Sequence, residues 1–175
     1  MSNTPIRGVG VVLGLDPGKI NFAFSVYGEE GILEHGDVEG AETFYFIPYF
    51  RKRMLRKLLR YRPQAVFVER YHSRPSAGAV INMEMANIMI GIVIEQCSRL
   101  GIPWYAITAS AHKGWAYRNL DIPKKTQTRK GVAKEVHDLE SYWEYEHLPT
   151  EHEVDATNLA KYGYEKLKKE LTTDE

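Results

Sequence analysis

Apolar side chains recur along the chain with two spacings, and the change of spacing predicts the order of strands and helices. Short apolar runs bounded by Gly, Pro, Asn or Asp are typical of strands. They predict strands over residues 9–15, 21–27, 31–38, 65–68 and 104–107. The first three follow one another through short turns, which predicts an antiparallel meander.

Apolar residues three and four apart predict helices between and after the later strands. The predicted helices span residues 44–61, 76–100, 109–117, 128–145 and 151–171. Hairpin strands followed by alternating strands and helices predict an α/β fold, with one five-stranded mixed sheet flanked by helices. The meander supplies its antiparallel part and the later strands its parallel part. With 175 residues and 43% hydrophobic content, we expect one domain over 1–175, its core at about 9–171.

The helix predicted at 76–100 is apolar around most of its circumference, far more than a one-sided stripe. Such a helix must be covered on two sides. The sheet is one cover, and the other is a neighbouring helix of the same chain or the same helix of a second subunit. We favour a homodimer, with Met85, Met89 and Ile92 at the interface.

Charged side chains are segregated along the chain, although the net charge is zero. Residues 51–134 contain 17 of the 23 Lys and Arg but only 4 of the 23 Asp and Glu. Seven cations lie within residues 51–62, and a second cluster consists of Lys113, Arg118, Lys124, Lys125, Arg129, Lys130 and Lys134. One cluster alone could be a solvated helix face, but two favour a polyanion such as nucleic acid.

The sequence contains no apolar run of membrane-spanning length, and its start lacks the pattern of a secretory signal. We therefore expect a protein that is cytoplasmic, or nucleoid-associated, or in the host cell interior if viral, and that is not secreted and has no membrane partner. The single Cys97 allows no intrachain disulfide and no thiolate zinc site.

Two of the predicted strands end in an acid, Asp16 after the first and Glu69 after the fourth. Each acid alone is explained by a turn or a salt bridge. If the two strands are parallel neighbours, however, both carboxylates emerge at one edge of the sheet, where ligands bind in α/β folds. A divalent cation would offset their repulsion, because hard cations such as Mg²⁺ select oxygen ligands.

The helix predicted at 151–171 offers further ligands. Thr150 and Glu153 form a capping-box pattern, which predicts where this helix begins. His152 and Asp155 are three residues apart and therefore share one helix face. Glu151 and Glu153 point elsewhere, and we expect each to be either a solvent-exposed acid or an acid that interacts with the helix dipole.

The ordered set Asp16, Glu69, His152 and Asp155 resembles the RuvC-type Holliday-junction resolvases of the RNase H-like superfamily. The similar stretches are GLDPGKINFAFSVY, AVFVERYH and HEVDATNLA, and their order fits over about residues 9–165. The resemblance implies an RNase H-like fold and a metal-dependent crossover junction endodeoxyribonuclease. It also implies that these four residues bind two Mg²⁺ ions per active site, with Mn²⁺ able to substitute.

The resemblance also implies DNA contacts. Lys113, and Arg129 or Lys130, occupy places where the family has basic residues near the scissile phosphate. Tyr71 and His72 stand where the family has an aromatic wedge after the strand-4 Glu; Tyr71 could stack on an unpaired base, or its ring could pack on the neighbouring helix. The full set of expected DNA contacts is Arg70, Tyr71, His72, Arg74, Lys113, Arg118, Lys124, Lys125, Arg129 and Lys130.

The sequence thus predicts a homodimeric, Mg²⁺-dependent endonuclease that nicks Holliday junctions symmetrically in DNA recombination and repair. An RNase H-like nuclease acting on RNA or other branched DNA would share the same carboxylates. A nucleotide-binding domain of the actin and sugar-kinase superfamily also has an acid in a first-strand turn, but it needs a second domain and a second phosphate loop. A junction-binding protein without activity would not need all four residues.

Overall fold

A computed structural model describes residues 9–18, 21–38, 45–70 and 79–173, the side chains of residues 79–83 excepted. The strands are β1 Val12–Pro17, β2 Phe22–Gly28, β3 Gly31–Val38, β4 Ala65–Glu69, β5 Trp104–Ile107, β6 Lys124–Arg129 and β7 Val132–His137. The helices are α1 Phe46–Tyr61, α2 Ala79–Leu100, α3 Ala109–Asn119, α4 Leu139–Tyr142 and α5 Glu151–Thr173. Among the described helices, none has the length and apolar character needed to cross a bilayer.

Five strands form one mixed sheet in the order β3-β2-β1-β4-β5. The β1–β2 and β2–β3 pairs are antiparallel, whereas β1–β4 and β4–β5 are parallel. The predicted meander with added parallel strands is therefore confirmed. The central β1 has β4 as its parallel neighbour, which is the pairing needed to bring their two terminal acids together.

Helices cover both faces of the sheet because side chains alternate along β1. Leu13 and Leu15 pack in a cluster with apolar residues of α1 and α2. Val12 faces the other way and packs with Leu159 of α5. Gly14 also lies on that second face, where an added Cβ would lie only 2.6 Å from the backbone nitrogen of Ala160. The α5 helix is therefore seated directly on the backbone of β1.

The interface residues expected on α2 are corrected by their burial. Met85 and Met89 are 4% and 0% exposed within the single chain, and Met89 belongs to the cluster between the sheet and α1. Ile92 is partly buried against the same cluster. Because Met85 and Met89 are covered by their own chain, they are core residues of the single chain, and of the three expected interface residues only Ile92 is partly exposed.

The helix expected at residues 128–145 is wrong. Strands β6 and β7 form a separate antiparallel hairpin, and only the short α4 follows it. Lys130 and Gly131 connect the strands with φ of 53° and 76°, the left-handed pair that a two-residue hairpin turn requires. Almost every hairpin residue is exposed, so no buried face imposed a spacing that the sequence could reveal.

Candidate active site

Asp16 and Glu69 lie side by side at the ends of two parallel strands. Leu15 of β1 is in register with Val68 of β4, and the next residue of each strand is the acid. Asp16 is 5% exposed, and the side chain of Glu69 is 17% exposed. The fold therefore brings these two carboxylates to one edge of the sheet, as predicted.

The first turns of α5 bring His152 and Asp155 to the same edge. His152 Nδ1 lies 2.7 Å from Asp16 Oδ2. Gly18 allows this approach, because an added Cβ would lie 2.8 Å from His152 Nε2. The amide of Gly18 donates to the Asp16 carbonyl at 3.1 Å, which tightens the turn after β1. The Pro-Gly turn therefore makes room for the imidazole above the strand end.

The start of α5 is fixed by the capping box that the sequence predicts. The Thr150 amide donates to Glu153 Oε2 at 2.7 Å, and the Glu153 amide donates to Thr150 Oγ1 at 3.2 Å. Of the two roles expected for Glu153, exposure to solvent is wrong, since it is 3% exposed and its Oε1 lies 2.8 Å from His35 Nδ1, whereas its place in the first turn agrees with an acid at the positive end of the helix dipole. The register of His152 and Asp155 is thus set by a buried cap.

Helix α3 adds two residues, one expected and one not. Lys113 Nζ donates to Asp155 Oδ2 at 2.7 Å, so the expected lysine does lie beside the carboxylates. His112 was missed: it is fully buried, and its Nε2 lies 2.7 Å from Glu69 Oε2. Asn158 of α5 donates its amide N–H to His112 Nδ1 at 2.8 Å, so Nε2 carries the hydrogen and donates to Glu69. The only signal in the sequence was a histidine directly before Lys113.

The negative charges of the carboxylates are poorly compensated, because these groups are buried and repel one another. Burial raises the pKa of Asp16, and the charge of Glu69 raises it further. The pKa of Asp155 is also raised, mainly by burial and then by Asp16 and Glu69, against the opposing effect of Lys113. The hydrogen bond to Asp16 raises the pKa of His152. Several acids crowded around one lysine provide the oxygen-rich donor set that divalent cations select.

A groove leads from this cluster to the base of the β6–β7 hairpin. It has a volume of about 360 Å³, and its lining includes Lys113 and Asp155 at one end and Lys125 and Gln127 at the other. Tyr117 and His137, whose rings stack at 4.6 Å, also line it. The groove therefore reaches the candidate site at Asp155.

The remaining expected DNA contacts are distributed unevenly. Arg70 and Arg118 are exposed, and Lys124 and Lys125 stand at the base of the hairpin. Arg129 and Lys130 are at its tip, about 17 Å farther along the strand. The structure therefore does not bring them to the carboxylates. Tyr71, His72 and Arg74 lie outside the described residues.

Comparisons with known proteins identify the architecture. The RuvC of Thermus thermophilus, in complex with a Holliday junction substrate, aligns with a TM-score of 0.63 and 20% identity, over 90% of this chain and 95% of that one. The yeast mitochondrial Holliday junction resolvase Ydc2 aligns with a TM-score of 0.53 and 11% identity, over 99% of this chain and 88% of that one. No protein-family model and no curated protein matches the sequence. The chain therefore has the RNase H-like fold of the RuvC-type Holliday-junction resolvases.

Proposed function

We propose that this protein is a divalent-metal-dependent endonuclease that resolves Holliday junctions as a homodimer. The observation that carries the proposal is the convergence of Asp16, Glu69, His152 and Asp155 from β1, β4 and α5. The fold is shared with resolvases, but it is the donor set at the sheet edge that supports hydrolysis.

The donor set fits Mg²⁺ or Mn²⁺, and we assign Asp16, Glu69, His152 and Asp155 as the ligands of two ions. When bound, the ions supply Lewis acidity for phosphodiester hydrolysis. His112, itself held by Asn158, fixes the orientation of the Glu69 carboxylate. Lys113 is positioned to offset the charge of a phosphate placed beside Asp155.

The hairpin supports a path for one DNA arm. Because side chains alternate along a strand, Lys125, Gln127 and Arg129 project from one face of the hairpin. Lys134 is opposite Gln127 on that face. The groove beside Asp155 reaches Lys125 and Gln127. A backbone that enters the groove would therefore continue along a row of cations.

The outer face of α2 supports the dimer. Ile88 and Ile94 are half-buried, and Gly91 between them is exposed, with open space around its missing Cβ. At 100° per residue these three positions lie within about 60° of one direction, opposite to Met89. A two-fold pairing of this face would give two active sites for symmetric nicks. Ile94→Glu should give a monomer in light scattering, and an unchanged dimer mass would refute this interface.

The function is tested with labelled four-way junction, linear duplex and RNA–DNA hybrid, each with Mg²⁺ or EDTA. We expect Mg²⁺-dependent, paired nicks in the junction only. Asp16→Asn should abolish cutting and preserve junction binding, whereas Asp121→Asn, at an exposed acid, should leave cutting unchanged. Equal cutting of linear duplex would refute junction selectivity. Cutting of the hybrid alone would support the RNase H-like alternative.

A further inference from the structure

A second group of ligand-type side chains lies beside α5, outside the four residues of the candidate active site. His35 is on β3, His147 is between α4 and α5, and Glu153 is in the first turn of α5. Suitable donor atoms of the three lie within 4.8 Å of one another. At 100° per residue, Glu153 is about 100° from His152 and about 160° from Asp155 around the helix. The group is therefore on a different side of α5.

The geometry points both imidazoles at one carboxylate oxygen. Glu153 Oε1 lies 2.8 Å from His35 Nδ1 and 3.4 Å from His147 Nε2. The two rings stack with centroids 4.2 Å apart and planes inclined by 24°. Glu153 Oε2 is already used by the Thr150 amide. Oε1 therefore remains as the point on which the two imidazoles converge.

Burial makes this more than a surface cluster. The side chains of His35 and Glu153 are each 4% exposed, and only His147 opens to solvent at 59%. His35 Nε2 is buried and has no hydrogen-bond partner among the described residues. This Nε2 is not the ring nitrogen that faces Glu153, so it says nothing about a ligand there; what distinguishes the group is that two buried donor side chains converge on one point.

We propose that His35, His147 and Glu153 bind a zinc-class transition-metal ion. Two imidazoles with one carboxylate form a donor set that suits Zn²⁺, whereas the carboxylate-rich active site suits Mg²⁺. Tetrahedral zinc needs donor atoms about 3.3 Å apart. The donor atoms of the group lie up to 4.8 Å apart, and the exposed His147 can move to shorten these distances. Water or a neighbouring carboxylate, Glu144 or Glu146, completes the coordination shell.

The bound ion would join three separate parts of the chain. It ties the edge strand β3 and the segment before α5 to the first turn of α5. That turn and the next carry His152 and Asp155. The ion is therefore a structural support for the helix that delivers two active-site residues, and the proposal does not depend on the identity of the DNA substrate.

The test uses Co²⁺ as a spectroscopic probe and an Asp16→Asn background, which weakens metal binding at the active site. We expect one equivalent of Co²⁺ with the strong visible absorption of tetrahedral coordination, displaced by one equivalent of Zn²⁺. Adding His147→Ala should abolish this absorption and the accompanying rise in Tm. His147 is exposed, so the substitution leaves the fold intact. Adding His137→Ala, at an exposed histidine of the hairpin, should change neither.

Two results would overturn the proposal. One is an absence of tetrahedral Co²⁺ absorption in the Asp16→Asn protein. The other is an absorption that survives His147→Ala, since the ion would then be bound elsewhere. Junction cutting by the chain with its native Asp16 is measured separately with Mg²⁺. Failure of the zinc site and failure of the proposed nuclease are thus distinguishable.

Discussion

Substituting Gly14 by Ala should displace α5 by a small distance that the fold tolerates but the active site does not. The added Cβ would lie 2.6 Å from the Ala160 nitrogen and 2.8 Å from its Cβ, where ordinary contacts are 3.4–4 Å. Its contact with the Ala156 carbonyl oxygen would be shorter still, so the helix must move away from β1 by about 1 Å or more. Overpacking of this kind costs about 1–3 kcal/mol of unfolding free energy. A misplacement of about 1 Å in a reacting group lowers rates by about 100-fold.

The stability loss is measured by urea unfolding, and the rate by single-turnover cutting of a four-way junction with saturating Mg²⁺. Gly10→Ala is the matched control, because its Cβ would lie at an ordinary 3.6 Å from Gln64. We expect the control to keep the rate and stability of the unsubstituted protein. Full activity and unchanged stability in Gly14→Ala would show that the site does not need the close packing of α5 against β1.

Three other changes test the site and the DNA path. His112→Ala removes the donor to Glu69, so Mg²⁺ affinity, measured by calorimetry, should fall by about 10–100-fold; unchanged affinity would show that Glu69 needs no support. Burial raises the pKa of Asp16 above 3.8, so the folded state binds this proton more tightly than the unfolded state and the ionised carboxylate is destabilising at neutral pH. Asp16→Asn should therefore raise the Tm of the metal-free protein at pH 8, with the gain closing as the pH falls through the folded pKa towards 3.8; a gain that grows on acidification would contradict this. Lys125→Ala should weaken junction binding and reduce the slope of log K against log salt by about 1, whereas an unchanged slope would exclude a phosphate contact at Lys125.

Strands and helices that bury a face were predictable from the sequence, since burial itself imposes their spacing. The apolar alternation of β1 and the helical spacing of α1 are examples. The β6–β7 hairpin was not found, because its side chains are exposed and carry no such spacing. Its local signal was the Lys130-Gly131 turn, which a helix prediction over that segment overlooked.

The candidate site was predictable where a residue breaks a local pattern. An acid at the end of an apolar strand is conspicuous, and Asp16 and Glu69 were found in this way. His112 breaks no pattern in α3, and its role depends on Glu69, 43 residues away in the chain. The burial of Glu153 likewise depends on His35, 118 residues away. Contacts of this kind are set by the packing of distant elements, so no local rule reveals them.

The pairing of Asp16 with His152 joins residues 136 positions apart, which makes the order of synthesis matter. A ribosome completes β1 early, but α5 leaves it only after every other strand and helix described here. Until then the sheet edge has Asp16 and Glu69 without His152, Asp155 or the Asn158 that orients His112. A nascent chain on the ribosome therefore lacks half of the proposed ligand set, and the proposed cutting of nucleic acid would begin only when α5 docks.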